Sequence, residues 1–540
     1  MADPMQKISI FSWNARGFTS AKLAEIQMFT NNKTLDIICM QETHLDLKTQ
    51  SEHRRINGYT LVNIFTRIAN KGGGMAIYVK TGLQTTKLKT IKQNYMEYQG
   101  ITVHGVDNNI DIYNCYVTDP DKMPGEKDIN KLFTKDSFII GDFNLHHYLW
   151  NPPGYTRTDR GAKDLVEFAE KSNRIILNSG KVTRTITYGN QTQETTIDLA
   201  IAPVKYAYKT EFKVIDNAMS SDHLPILITT DFKGFIEKAQ NTPTWKTHKA
   251  DWLQYQNVAT TKFEYNNSNL DIDQHENQFL TALNESATAS IPRSKQGDRQ
   301  IRKIVPWWNR ECELAVKKRE SARKTCQKKP NEYNKETYRQ AMGFCKKIIL
   351  DAKRNNWQEF VSQIEHKTTS KDIWDKINRI RGKKSNSNAA LLVDGKPVIS
   401  NKDKANVLVS HYQKVSSTQN LPPQFIASKP FKDSEIDKQL EDQIASDPQP
   451  TYNNNFTMTE LETSLALCKN TAPGVDLINY EMIRKLPYKG KQKLLNLFNQ
   501  SWVEGKSPET WWKAVIIPLL KPGKNETDPA SYRPISLTSA

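Results

Sequence analysis

Between residues 7 and 230, short runs of β-type apolar residues alternate with stretches of helical spacing, and this rhythm restricts the segment to one α/β or α+β domain. Ile8–Trp13, Leu35–Met40, Gly74–Val79, Asp111–Tyr116, Ser137–Gly141, Ile175–Asn178, Thr196–Ile201 and Leu224–Thr230 read as strands, each bounded by Gly, Pro, Asn or Asp. Ala21–Phe29 and Gly161–Lys171 space their apolar residues as helices do. The segment has the size of a single domain. A chain of 540 residues needs one or two more.

Polar groups stand at the ends of these strands: Asn14 in SWNARG, Glu42 in MQET, Asp142 and Asn144 in GDFN, Asp198 in TTIDLA, and Asp222 with His223 in SDHLPI. Each motif alone is commonplace; their order and shared setting carry the signal, because strand ends converge on one rim of a sheet. Phosphodiester hydrolysis needs a cation on the phosphate oxygens, a base for the attacking water, and relief of charge on the leaving oxygen. A lone carboxylate such as Glu42, with water filling the other positions, suits Mg²⁺, which dehydrates reluctantly. Asp142 can take a proton while Asn144 orients water or phosphate. His223 needs a carboxylate to fix its tautomer and favour its charged form, and Asp198 is the candidate. The GGG at 72–74 reads as a turn before a strand rather than a phosphate cradle.

The series SWN, QET, GDFN, IDLA and SDH resembles the apurinic/apyrimidinic-endonuclease branch of the exonuclease–endonuclease–phosphatase superfamily. KGGGMAIYVK, GDFNLHHYLW and TDRGAKDLVEFAEKSNRIILNSG are similar to jockey-like non-LTR retrotransposon (LINE) proteins. The resemblance implies an α+β fold with a four-layer α/β/β/α sandwich over residues 1–233, and Mg²⁺ as cofactor, with Mn²⁺ as a substitute. It also implies roles. Glu42 would bind the metal, Asn14 would support the metal and Asp142, and Asp222 would lie on the metal side. Asp142 would activate water, Asn144 would bind phosphate, and His223, paired with Asp198, would contact the scissile phosphate. Tyr116 in IYNCYVTDP matches the family's phosphate-contacting tyrosine, although a core tyrosine would read the same way. One departure stands out: repair enzymes of this branch carry Asp two residues after the Asn, where this chain has Arg16. That argues against abasic-site repair and is compatible with retrotransposon endonucleases.

Residues 234–455 read as a basic, mostly helical linker region, with a helix near Gln274–Ala289. Within 309–380, Lys317, Lys318, Arg319, Arg323 and Lys324 are dense, and Trp307, Trp308, Trp357 and Trp374 are interleaved with basic residues. Such helices suit either a surface that tracks a nucleic-acid backbone or solvated faces over a tryptophan core. The formal charge of +17, from 76 basic and 59 acidic residues, favours nucleic acid or an acidic membrane surface as partner. TAPGVDLINYEMIRKLP (471–487) and WWKAVIIPLLKPGKNETDPASYRPISLTSA (511–540) resemble the opening blocks of a non-LTR reverse transcriptase, and VPWWNREC (305–312) the segment joining the two activities. Residues 456–540 therefore read as an incomplete reverse-transcriptase N-terminal (fingers) segment. The resemblance implies nucleic-acid contacts by Lys521, Lys524 and Arg533, with ordinary surface residues near a Pro-Gly turn as the plain alternative. No Tyr-x-Asp-Asp string occurs, so polymerisation is not expected of this truncated chain.

No apolar run approaches the roughly 18 residues of a membrane span, and the N-terminus lacks a basic-then-apolar leader. Cys39, Cys115, Cys312, Cys326, Cys345 and Cys468 lack zinc spacing and read as buried reduced thiols. An intracellular protein is expected, and the resemblance implies a nuclear one. The expected function is Mg²⁺-dependent nicking of double-stranded target DNA for target-primed reverse transcription, with the element's RNA as the implied second partner and no membrane. Two alternatives have the same parts: a phospholipid or inositol-phosphate hydrolase of this fold, and a non-catalytic nucleic-acid-binding relic. The missing leader and the polymerase-like tail disfavour the first. The intact set of catalytic-type residues disfavours the second.

Overall fold

The computed structural model describes residues 5–33, 35–45, 55–66, 73–92, 95–120, 129, 131–134, 136–237, 243–266, 269–294, 305–365, 368, 370, 373–374, 377–378, 389–446 and 454–539. The chain divides into two compact units, one made of residues 1–239 and 299–401, the other of 240–298 and 402–540. The stretch 234–455, expected as one linker region, is shared between them.

In the first unit the chain forms β1 (Met5–Asn14), α1 (Ser20–Asn32), β2 (Ile37–Gln41), β3 (Tyr59–Phe65), β4 (Met75–Lys80), β5 (Thr85–Lys87), β6 (Ile91–Lys92), β7 (Met96–His104) and β8 (Asn109–Val117). There follow β9 (Ser137–Asp142), α2 (Arg160–Lys171), β10 (Arg174–Ile176), β11 (Arg184–Tyr188), β12 (Gln191–Thr195), β13 (Asp198–Pro203), β14 (Glu211–Val214) and β15 (Ile226–Phe235). One sheet has the order β14-β15-β1-β2-β4-β3, the other β10-β13-β9-β8-β7-β5, with β6 also on β7; β11 and β12 form a separate hairpin.

Side-chain alternation builds the layers. Ile8 and Ile10 of β1 join Ile37, Cys39 and Ile77 in a core completed by Ile101, Ile112, Phe138 and Ile140 of the other sheet. Phe11 and Trp13, on the opposite face of β1, meet Leu23 and Ile26 of α1. Tyr113, Cys115 and Ile139 likewise meet Ala162 and Leu165 of α2. Two sheets face to face, each covered outside by a helix, give the expected four-layer α/β/β/α sandwich. Each fully buried Ile or Phe contributes about 1.5–3 kcal/mol.

An additional helical pair belongs to this unit. After a turn, α3 (Arg310–Lys328) and α4 (Glu332–Ser362) pack against each other. Their Cys312, Ala315, Cys345 and Ile349 form a core with Val305, Trp307 and Ala21 and Ala24 of α1. Of the tryptophans, Trp307 is core, whereas Trp374 is exposed.

The second unit is mostly helical. Helices Trp252–Lys262, Ile272–Ser290, Met458–Leu467 and Tyr488–Glu504 bury Tyr255, Phe279, Leu283, Leu461 and Leu494. The helix expected near Gln274–Ala289 is longer by a few residues, begun by a capping box between Asp271 and Gln274. Strands Val515–Leu520 and Tyr532–Leu537 pair as an antiparallel hairpin. Among the described residues no helix is long and apolar enough to cross a membrane.

The strand-end expectation needs one correction. Asp198 begins β13 rather than ending a strand, and Asp222 and His223 precede β15. They still reach the same rim, because β13 is antiparallel to β9 and β15 to β1, so the starts of one lie beside the ends of the other. Asp198 stands directly across from Asp142 in the ladder.

Gly141 shows how tightly this rim is built. Its φ of +152° is one L side chains rarely adopt, and a Cβ there would drive into the Cys115 backbone of β8. Gly141→Ala is expected to lower stability by about 3 kcal/mol, read by chemical denaturation; an unchanged midpoint would show that the strands can part to admit a methyl group.

Candidate active site

Asn14 ends β1 fully buried, and its Nδ2 donates to Glu42 Oε1 at 2.9 Å and to Asp142 Oδ2 at 2.8 Å. Its Oδ1 accepts the Arg16 N–H at 3.0 Å, which fixes the orientation of the amide. One amide therefore ties together two carboxylates that lie a hundred residues apart in sequence.

Glu42 follows β2 with a left-handed φ of +46°. The loop keeps that conformation because the N–H groups of Thr43 and His44 donate to the Gly74 and Gly73 carbonyls, at 3.0 and 2.9 Å. The glycine turn before β4 thus serves the acidic loop, not a phosphate. Tyr116 of β8 donates its hydroxyl to Glu42 Oε1 at 2.9 Å. At the end of β9, Asp142 Oδ1 accepts the Asn144 N–H at 3.1 Å, while Asn144 itself is left-handed (φ +51°) and donates Nδ2 to the Val117 carbonyl at 2.8 Å.

His223 Nδ1 lies 2.9 and 3.1 Å from the two Asp198 oxygens, and its Nε2 lies 3.9 Å from Asp142 Oδ2. The loop carrying it is fixed by Ser221, whose hydroxyl donates to the Asn14 carbonyl at 2.8 Å and accepts the His223 N–H at 3.2 Å. Trp13 Nε1 donates to the His223 carbonyl at 3.3 Å. Asp198 is held from behind: its N–H donates to Thr183 Oγ1 at 3.1 Å, and Asn178 Nδ2 donates to its carbonyl at 2.9 Å.

Asn14, Glu42, Tyr116, Asp142, Asn144, Asp198 and His223 are thus one constellation. Asp222 adjoins it but is turned onto two guanidiniums: its Oδ2 accepts Arg16 Nη1 at 2.6 Å and Arg184 Nε at 3.3 Å. The residue that departs from the repair-enzyme pattern, Arg16, therefore supplies the cation that engages the carboxylate expected on the metal side. Lys521, Lys524 and Arg533 lie in the second unit, Lys521 and Lys524 in the turn of its β-hairpin and Arg533 on its second strand.

Burial pushes the Asp142 carboxyl up to about 7, with Asp198 and Glu42 adding to the rise against His223 and the Asn14 hydrogen bond. Burial alone would depress His223. Asp198 and Asp142 outweigh it and raise the imidazole to about 9, so the ring is a cation at neutral pH. Asp222 lies below its ordinary range: burial opposes this, but His223, Arg16 and Arg184 prevail.

A divalent cation has two conceivable donor sets here. Asp142, Asp198 and His223 could offer atoms within 4.8 Å of one another, all buried. In that set, however, His223 is charged and already engaged through Nδ1, so it makes a poor ligand. Glu42, whose side chain is 22% exposed, offers oxygen to a site that water can reach, with Asp142 coupled to it through Asn14. An oxygen donor beside solvent fits a hard, hydrated ion such as Mg²⁺. Asn14 faces both carboxylates with its nitrogen, so it orients them and leaves ligation to the Glu42 oxygens.

The sequence gives little sign of the supporting residues. Gln41 Nε2 donates to Asn114 Oδ1 at 2.6 Å and to Ser12 Oγ at 2.9 Å, a buried polar bridge between the sheets under the site. Thr183, Asn178 and Ser221 are equally silent, since hydroxyls and amides are common in any loop. The one available clue is position, since Ser12 and Gln41 each stand within two residues of a motif residue.

Residues 110–227 match a family described as endonuclease–reverse transcriptase. Over 99% of its length the chain is 24% identical to the RNA-directed DNA polymerase from mobile element jockey of Drosophila melanogaster, and 25% identical to the probable RNA-directed DNA polymerase from transposon X-element of the same species. It spans 57% of the length of each. Among solved structures, the endonuclease domain of TRAS1, a telomere-specific non-LTR retrotransposon, is similar over 42% of this chain and 99% of its own, at 16% identity and a TM-score of 0.33. An AP endonuclease from Archaeoglobus fulgidus covers 42% of this chain and 99% of its own, at 18% identity and a TM-score of 0.32. By these matches the chain is similar along its length to the polymerases of jockey-like non-LTR retrotransposons, and residues 110–227 of its first domain match the endonuclease–reverse transcriptase family.

Proposed function

We propose that this chain is a Mg²⁺-dependent endonuclease that nicks double-stranded DNA, leaving a 3′ hydroxyl from which reverse transcription of the element's RNA is primed. The observation that carries the reading is the Asn14 bridge between Glu42 and Asp142, 3.9 Å from a His223 imidazolium held by Asp198. Support comes also from the relatives' names, which describe polymerases of mobile elements. Such a reaction takes place on chromosomal DNA, so a nuclear location belongs to the proposal.

Each residue has a task in that reaction. Glu42 would hold the cation, which would supply positive charge to the phosphate oxygens. Asp142, raised toward neutrality by burial, is matched to accept the proton of the attacking water at physiological pH. His223 Nε2–H, on the Asp142 side of the ring, places a fixed positive charge against the pentavalent phosphate, with Asp198 holding ring and tautomer in place. Tyr116 and Asn14 keep the Glu42 carboxylate from rotating, and the Asn144 backbone N–H does the same for Asp142. Lys521, Lys524 and Arg533 are proposed to contact nucleic acid in the polymerase part of the relatives' cycle.

Supercoiled plasmid incubated with the chain and Mg²⁺ is expected to become open-circular, and excess EDTA is expected to stop the conversion, with Mn²⁺ able to restore it. Equal nicking in EDTA would remove the metal from the mechanism. Hydrolysis of a phosphocholine or inositol-phosphate ester with intact plasmid would transfer the site to the lipid-hydrolase reading.

A further inference from the structure

We propose that α3, which lies outside the sandwich, is a positioning element of the nuclease site, acting through Arg319 on the loop Asp216–Asp222 that delivers His223. This rests on the function proposed above.

Arg319 has no solvent exposure, and both its terminal nitrogens are shared between two elements. Nη1 donates to Glu25 Oε1 of α1 at 2.6 Å and to Ser220 Oγ at 2.9 Å; Nη2 donates to Glu25 Oε2 at 2.9 Å, to Asn217 Oδ1 at 3.3 Å and, within α3 itself, to Glu320 Oε1 at 2.8 Å, which also accepts from Nε at 3.0 Å. One turn on, Arg323 Nη2 and Lys324 Nζ take the two oxygens of Asp216, at 2.6 and 2.5 Å. The loop they hold is strained: Met219 and Ser220 are both left-handed, with φ of +48° and +64°. Non-glycine residues keep such angles only where the surroundings leave no alternative.

The next residue, Ser221, bonds both Asn14 and His223, so the held conformation is passed directly to two members of the site. The far end of the same device reaches the Asn14 loop. Lys22, three residues before Glu25 on α1, donates Nζ to the carbonyls of Ala15 and Arg16, at 2.5 and 3.3 Å. Helix α1 therefore braces the loop after β1 by one side chain and, through Arg319, the loop before β15 by another. Catalysis depends on sub-ångström placement, so loosening this brace should slow the reacting step without weakening DNA capture.

The test uses the full chain with Glu25→Leu combined with Arg319→Met, which removes the buried pair together, fills its space and leaves Glu320 paired with Arg323. Plasmid-nicking kinetics and hydrogen exchange over residues 216–223 are read on parent and variant. The expected result is a parental melting temperature and KM, kcat lower by about 10²-fold, and faster exchange confined to that loop. Should the variant fail to fold, Asn217→Ala with Ser220→Gly removes the two loop acceptors and leaves the ion pair, and the same direction is expected. Parental kcat, or parental exchange, overturns the inference. If the parent itself does not nick, the proposed function fails, and loop exchange alone decides: faster exchange sustains the brace and unchanged exchange removes it.

Discussion

His223→Ala is expected to lower plasmid nicking by about 10³-fold. The ring is the cation nearest the buried Asp142, and its charge is set by Asp198. In the proposed reaction its deletion would remove a charge from the transition state, and general acid–base and oxyanion-type groups of this kind are each worth about 10²–10⁴ in rate. It also takes away the charge that opposes the rise of the buried Asp142 carboxyl, so Asp142 would titrate further upward and become a poorer acceptor at neutral pH. Glu42→Ala is expected to match it by another route, through loss of the oxygen donor that water can reach. Combining the two should cost little more than either, because groups that act as a unit are far from additive. A double variant as slow as the product of the two single losses would show independent contributions.

The largest effect on stability is expected for Arg319→Ala, about 3–5 kcal/mol, read by urea denaturation. Glu25 and Arg319 form a buried ion pair. Burial raises the Glu25 carboxyl despite the guanidinium, whereas Arg319 is raised because Glu25 and its hydrogen bonds outweigh burial. Desolvation of the two groups offsets their attraction. The pair then adds little net stability when whole. Removing one partner is a different matter, because a desolvated carboxylate is left with hydrogen bonds to nothing. A loss under 1 kcal/mol would indicate that water or Lys22 reaches Glu25 in the variant.

Much of the sandwich could be read from the sequence because its central strands are nearly pure apolar runs. Ile8–Trp13 and Ser137–Gly141 lie within β1 and β9. Strand β7 could not, because its buried face carries Gln99, and Gly100 sits at its middle. That glycine is there to let the Tyr113 ring lie against the backbone, a reason visible only in the fold. β11 and β12 form a polar, half-buried hairpin with no apolar alternation to find.

The candidate site divides in the same way. Glu42, Asp142 and His223 are chemically rare in a β margin and stand out. The partners that orient them do not, and the contacts of Arg16 with Asp222 and of Arg319 with Ser220 join residues 206 and 99 positions apart. No periodicity links such pairs. The placement of α3 against α1 was hidden for another reason: Lys and Arg on a helix usually signal a solvated face, and here two of them, Arg319 and Arg323, are buried.

The proposed activity requires one metal-dependent hydrolytic site built from residues 14 to 223. Its most direct measurement is primer extension from the nicks: plasmid opened by the chain with Mg²⁺ is given a DNA polymerase and labelled nucleotides. Label entering the plasmid opened by the parent, and none after Glu42→Ala treatment, is the predicted result. Nicks that no polymerase can extend, or label incorporated equally after Glu42→Ala, would contradict it.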